Sequence, residues 1–179
     1  MKEVQEPEAL PFVMKQIPKG AFLTVQAERE KNVMTIGWAL FGFVWRRPTM
    51  MVAVRNTRFT YGIMERARFF TVSVPALPME KEIDLCGTRS GRNLDKFQEC
   101  KFATLPGEKT GAPVLDIPGF HYECALIYKT PMDPKFLAGE LNALYPQKDY
   151  HTLYFGEILA CYRNDEPSAA RQKGPPLPG

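Results

Sequence analysis

The chain predicts a mainly β fold, an antiparallel barrel of six or seven strands with small flanking helices. Two observations carry that expectation. Short apolar or β-branched runs alternate with turn residues along most of the sequence, the pattern of strands that bury one face. The helical stretches between them are too short to build a core of their own. With 179 residues, 45% of them hydrophobic and 24% charged, the chain suits one compact domain.

In chain order, strands are predicted over Ala21 to Ala27, Asn32 to Gly37, Thr49 to Arg55, Phe69 to Val74, Phe120 to Lys129 and His151 to Arg163. Thr60 to Arg66 reads as a short helix with Thr60 as its N-cap, a residue type suited to that place. Further short helices are predicted over Pro78 to Leu85 and over Asn93 to Glu99, the latter with Leu94 and Phe97 as its apolar stripe. Pro106 to Pro118, rich in Gly, Pro and Thr, reads as a surface loop. The domain is expected to span residues 1–163. Residues 164–179, NDEPSAARQKGPPLPG, hold few groups able to enter a core and read as a C-terminal tail or arm.

Composition also narrows function. A net charge of +3 without any block of like charge does not indicate a grip on nucleic acid or an anionic membrane. No apolar run approaches the roughly 20 residues of a membrane span, and MKEVQEPEAL lacks a signal peptide's apolar centre. A cytoplasmic protein with small-molecule partners is expected. Cys86, Cys100, Cys124 and Cys161 show no CxxC pair or metal-ligand spacing, so they read as reduced thiols. Cys86 stands apart because it opens a Gly-rich turn.

Four constellations carry chemistry. Arg55, Asn56, Thr57, Arg58 and Thr60 crowd guanidinium and hydroxyl groups at a strand end, which suits an anion through charge-assisted hydrogen bonds. A solvated strand end explains the same residues about as well. NVMTIGW, from Asn32 to Trp38, sets Asn32 and Thr35 among apolar neighbours, a surface on which a flat amphipathic ring can lie. CGTRSGRNLDKF, from Cys86 to Phe97, surrounds Gly87, Ser90 and Gly91 with Arg89, Arg92 and Lys96. It can also cradle an anion. It is neither a Walker loop nor a dinucleotide fingerprint, since no GK[ST] follows and no βαβ unit encloses it. DYHTLYFGEI places Asp149 two residues before His151, so that a carboxylate can set the imidazole's charge and tautomer.

In this order, NVMTIGW, RPTMMVAVRNTRFTYGIM, FFTVSVP, LCGTRSGRNLDKF, HYECALIYKT and DYHTLYFGEI closely resemble the flavin reductase-like family, in particular its flavoredoxin-type members. The resemblance spans roughly Pro18 to Arg163. It implies a six-stranded antiparallel Greek-key FMN-binding split barrel, assembled as a homodimer with flavin sites near the subunit interface. It also implies that Asn32, Met34 and Thr35 lie along the isoalloxazine ring. Arg55, Asn56, Thr57 and Thr60 would hold the ribityl phosphate, and Ser90, Gly91 and Lys96 would close the site. His151 is a candidate on the nicotinamide side, although Tyr150 separates it from Asp149 where the family pattern has acid and His adjacent.

The activity so implied is FMN-dependent oxidoreduction, with hydride passing from NADH or NADPH through FMN to free flavin, a ferric chelate or another acceptor. Arg58, Arg89 and Arg92 are candidates for the positive charge beside the ring. A flavoredoxin-like carrier, with tightly bound FMN and protein partners, is the alternative. A non-flavin barrel that binds single-stranded nucleic acid is a third reading, weakened by the near-balanced charge.

Overall fold

A computed structural model of the chain describes residues 1–166. Its regular elements are β1 (Lys2–Glu3), α1 (Glu6–Gln16), β2 (Ala21–Ala27), β3 (Glu30–Ile36), β4 (Ala39–Val44), β5 (Arg47–Arg55), α2 (Phe59–Met64), β6 (Phe69–Pro75), α3 (Glu80–Thr88), α4 (Lys96–Glu99), β7 (Thr104–Pro106), β8 (Pro113–Leu115), β9 (Gly119–Pro131) and β10 (His151–Asn164). The last strand ends one residue beyond the expected domain boundary. Of the expected tail, positions 167–179 lie outside the described residues.

The six predicted strands are β2, β3, β5, β6, β9 and β10. They pair antiparallel in the order β3-β2-β6-β9-β10-β5, so β2 lies beside β6 and β5 beside β10 in Greek-key fashion. β4 extends the sheet beyond β5, and β1 pairs with the end of β10. β3 and β5 approach each other without a shared ladder, leaving the barrel open along one seam. Leu23, Val25, Val52, Val54, Phe70, Val72 and Tyr154 fill the interior. A second cluster, with Phe22, Val33, Cys86, Phe97, Phe102, Leu115 and Ile117, lies between the sheet and the short helices. Burial on both faces is why Ala21–Ala27 is almost continuously apolar rather than alternating.

Several elements differ from expectation, the short β1 among them. α1 was not predicted. Proline costs about 3 kcal/mol inside a helix, and Pro11 lies within this one, but Ala9 and Val13, one turn apart, are fully buried in the main core. β4 was also missed, because its two-residue turn to β5 is Trp45–Arg46 rather than Asn–Gly. Both residues take left-handed φ values of 52° and 59°, the pair that a tight hairpin demands. Trp45 is held there by edge-on packing against Tyr128 and Phe155, with ring centroids at 5.6 and 6.2 Å.

The expected loop at 106–118 contains β8 and the turn that joins it to β7, tied down by the fully buried Glu123. That carboxylate accepts hydrogen bonds from the Lys109 and Thr110 amides, the Thr110 hydroxyl and the Tyr162 hydroxyl. No helix among the described residues is long and apolar enough to cross a membrane.

Candidate functional site

A cleft of about 380 Å³ lies along the open seam. One wall is the end of β3 and the turn after it, Met34 to Trp38. The other is Ala53 and Arg55 of β5 with Thr57 and Arg58 beyond it, and Asp149 and His151 close one end. A smaller pocket of about 120 Å³ adjoins it, lined by Asn32, Phe59, Thr60, residues 88–92 and Lys96. Met34, Thr57 and Arg58 line both, so the two spaces form one bipartite site.

The small pocket has a lining that could hold an anion. Its lining includes Arg58, Arg89, Arg92 and Lys96, the hydroxyls of Thr57, Thr60, Thr88 and Ser90, and no carboxylate. Lys96 starts α4, whose N-cap Asp95 accepts from the Phe97 and Gln98 amides. Its ammonium is buried and donates to the Cys86 carbonyl at 2.8 Å. Burial holds both the Lys96 ammonium and the Arg58 guanidinium below their ordinary pKa values, with Arg55 adding to the effect on Arg58. Cations desolvated without a carboxylate partner gain most from an incoming anion.

Gly91 shows how closely the pocket is fitted. A Cβ there would come within 2.4 Å of Asn32 Oδ1 and 2.7 Å of Phe59 Cδ1, so only glycine lets the turn approach β3. Asn32 in turn donates to the Thr60 hydroxyl at 2.8 Å. Helix α2 has Arg58, not Thr60, as its N-cap residue. Thr60 sits inside the first turn with its hydroxyl turned to Asn32.

The larger cleft is mixed apolar and polar. Met34, Ile36, Ala53 and Trp38 supply apolar surface, and Thr35 lies among them with its hydroxyl donating to the Ile83 carbonyl at 2.5 Å. At the far end, Trp38 lies 4.6 Å from the His151 ring, and the Tyr145 hydroxyl is 2.8 Å from His151 Nδ1. Burial, with Arg55 nearby, pushes His151 down to about 4, so the imidazole is neutral near pH 7.

The structure distributes the sequence candidates between the two ends. Thr57, Thr60, Ser90, Gly91 and Lys96 meet in the small pocket, Met34 stands at the junction and Thr35 and His151 line the cleft. Asn32, expected along a ring, lines the small pocket instead. Asn56 is exposed and lines neither space. Arg55, expected on a phosphate, donates to Asp149 at 2.6 Å and to the Leu144 carbonyl at 2.9 Å, and lies 4.9 Å from the Tyr145 ring centroid. Asp149 therefore hydrogen-bonds Arg55 rather than His151, whose Nδ1 partner is Tyr145, and acts on the imidazole only through its charge. Among the three candidate ring-side arginines, only Arg58 lines both spaces.

Cys86, the thiol singled out in the sequence, is fully buried beneath the small pocket with its Sγ 3.9 Å from Cys100 Sγ. Burial raises its pKa to about 12, so it is an inert thiol at neutral pH. Trp38, which lines the cleft, and Tyr145, which contacts His151, were not singled out as site candidates from sequence.

The family model described as "Flavin reductase like domain" matches residues 14–177. The chain belongs to that family. Among solved structures of similar fold is the FMN-binding protein from Thermus thermophilus with bound p-hydroxybenzaldehyde. It is 26% identical with a TM-score of 0.62, covering 89% of this chain and 77% of that one. The flavoredoxin of Desulfovibrio vulgaris (Miyazaki F) is 22% identical with a TM-score of 0.63, covering 85% and 76%. The NADH:FAD oxidoreductase of Streptomyces globisporus is 20% identical with a TM-score of 0.61, covering 90% and 87%. The fold of this flavin reductase-like chain is the antiparallel split barrel.

Proposed function

We propose that this chain is an FMN-dependent oxidoreductase that takes hydride from NADH or NADPH and passes electrons to free flavin, a ferric chelate or another acceptor. The observation that supports it best is the small pocket with four cations, four hydroxyls and no carboxylate, opening directly into a larger cleft with apolar walls. A phosphate monoester on a short polar chain, attached to a flat ring, matches that sequence of surfaces. The similar Thermus thermophilus protein is FMN-binding, and a neighbour of the same fold is an NADH:FAD oxidoreductase.

FMN, when bound, supplies the hydride-accepting ring. Ser90, Thr57, Arg92 and Lys96 would hold its phosphate. Arg58, at the junction, offers positive charge to both ends of the ligand. Met34, Ile36, Ala53 and Trp38 would cover the ring and exclude water, which would strengthen every polar contact within the cleft. Thr35 and His151, which line the cleft, would border the ring where a nicotinamide or an acceptor approaches.

Leu40, Phe43, Val44 and Trp45 make the β4 hairpin an exposed apolar strip, with Leu40 and Val44 on one face of the strand, Phe43 on the other, and Tyr128 packed on Trp45. Such a strip suits an interface, and a second copy of the chain is its proposed occupant, in the cytoplasm. Phe43→Asp is expected to lower the mass measured by light scattering from that of a dimer to that of a monomer. An unchanged mass removes the strip from the interface.

The visible spectrum of the purified protein, followed by anaerobic addition of NADH and then NADPH, tests the function. A yellow protein bleached by either nucleotide is expected. A protein that is colourless and takes up no added FMN overturns the reading. Bleaching only by a reduced protein partner favours the flavoredoxin-like carrier, for which the same apolar strip would be the docking face.

A further inference from the structure

His151 opens β10 with its ring against the main cleft, and its two nitrogens have different surroundings. Nδ1 lies 2.8 Å from the Tyr145 hydroxyl. Nε2 has no hydrogen-bond partner among the described residues. Tyr145 is itself buried and fixed: its amide donates to the Asn142 carbonyl at 2.9 Å, Arg55 lies over its ring and Tyr150 packs at 4.8 Å. The other acceptor near its hydroxyl is Met132 Sδ at 3.5 Å, a weak one. The phenolic O–H is therefore directed at the imidazole nitrogen, the stronger acceptor.

We propose that Tyr145 is a positioning residue: its O–H donates to His151 Nδ1, locks the ring as the neutral Nε2–H tautomer, and so gives the cleft one fixed donor for a ligand's carbonyl oxygen. Asp149, the carboxylate that would otherwise compete for an imidazole N–H, is held by Arg55. The charged groups that act on the ring are Arg55 from β5, Arg58 from the turn after it, and Asp149 from the segment before β10. Two cations against one carboxylate keep a third positive charge off the ring, so the donor is neutral and does not depend on protonation. Trp38 covers one side of the imidazole at 4.6 Å and limits its rotation. The identity of the ligand rests on the proposed oxidoreductase function; the tautomer does not.

The test is a long-range proton–nitrogen NMR spectrum of full-length protein labelled with ¹⁵N-histidine, recorded without added flavin. The chain has two histidines. His121, between the Ser73 hydroxyl and the Ile117 carbonyl, is the internal control. His151 is expected as the neutral Nε2–H tautomer from about pH 5 to about pH 8. Tyr145→Phe should reduce its tautomer ratio about three- to tenfold, the loss of one neutral hydrogen bond, and leave His121 unchanged.

A wild-type His151 in the Nδ1–H form overturns the proposal, and so does an unchanged ratio in the folded variant. Titration with nicotinamide, after FMN is added, should shift the Nε2 resonance; saturation without a shift overturns the donor role. FMN uptake is read separately by absorbance, so failure of the cofactor reading and failure of the tautomer lock give different results.

Discussion

Arg55→Met separates two roles that the same guanidinium can play. The side chain makes an ion pair with Asp149 at 2.6 Å, in which the partners are 28% and 13% exposed. A pair screened to that degree contributes about 1 kcal/mol. The hydrogen bond to the Leu144 carbonyl at 2.9 Å adds about 1 kcal/mol. The guanidinium 4.9 Å from the Tyr145 centroid adds about 0.5 kcal/mol. All three contacts bind the segment before β10 to the end of β5, so the variant should lose about 2–3 kcal/mol in urea unfolding. Proteolysis within residues 132–150 should become faster.

FMN affinity should fall less than about threefold in that variant. Arg92→Ala, which removes a cation from the small pocket, should lower it about tenfold or more, the worth of one charge-assisted hydrogen bond. An Arg55→Met protein of unchanged stability whose FMN affinity falls a hundredfold would refute this reasoning and return Arg55 to the phosphate.

Two further outcomes follow from the geometry. In Gly91→Ala the new Cβ must displace Asn32, so the variant should lose about 1–3 kcal/mol of stability and bind FMN at least tenfold more weakly, as measured by thermal unfolding and flavin fluorescence; wild-type values in both would mean that the turn relaxes freely. Burial pushes both His121 and His151 down to about 4 from 6.5, so between these pH values the unfolded chain binds protons that the folded chain does not. Stability should therefore rise with pH across that window, by up to about 1.4 kcal/mol per pH unit for each histidine, and level off above it. A urea midpoint that stays flat from pH 4 to pH 6.5 contradicts this, and His121→Gln should reduce the slope.

The six barrel strands were legible because their apolar runs are bounded by turn residues and their periodicity survives tertiary packing. β4 was not, since the left-handed pair Trp45–Arg46 has the conformation of a tight turn without its usual composition, and aromatic neighbours distant in sequence hold it. α1 was hidden by Pro11, whose local cost is offset by the burial of Ala9 and Val13. The Gly-rich turn and the hydroxyls after β5 could be read as candidate anion ligands because their chemistry is local, and the structure brings them to one pocket. The assignment of Arg55 was not. Its partners Leu144, Tyr145 and Asp149 lie about ninety residues away, and an arginine at a strand end looks the same whether it faces a phosphate or a neighbouring loop. Asp149 and His151 show the converse: closeness in sequence suggested a pair, and a more distant tyrosine took the place.

The junction of Met34, Thr57 and Arg58 divides the site into two compartments, and under the proposed function that partition separates retention from reactivity. Changes at Ser90 or Arg92 would alter how long a flavin stays without moving the groups that set its potential. Changes at Thr35, Trp38 or His151 would retune the electron-transfer end while the anchor stays intact. One scaffold could thus shift between a permanently held cofactor and a diffusing substrate through substitutions confined to a single turn.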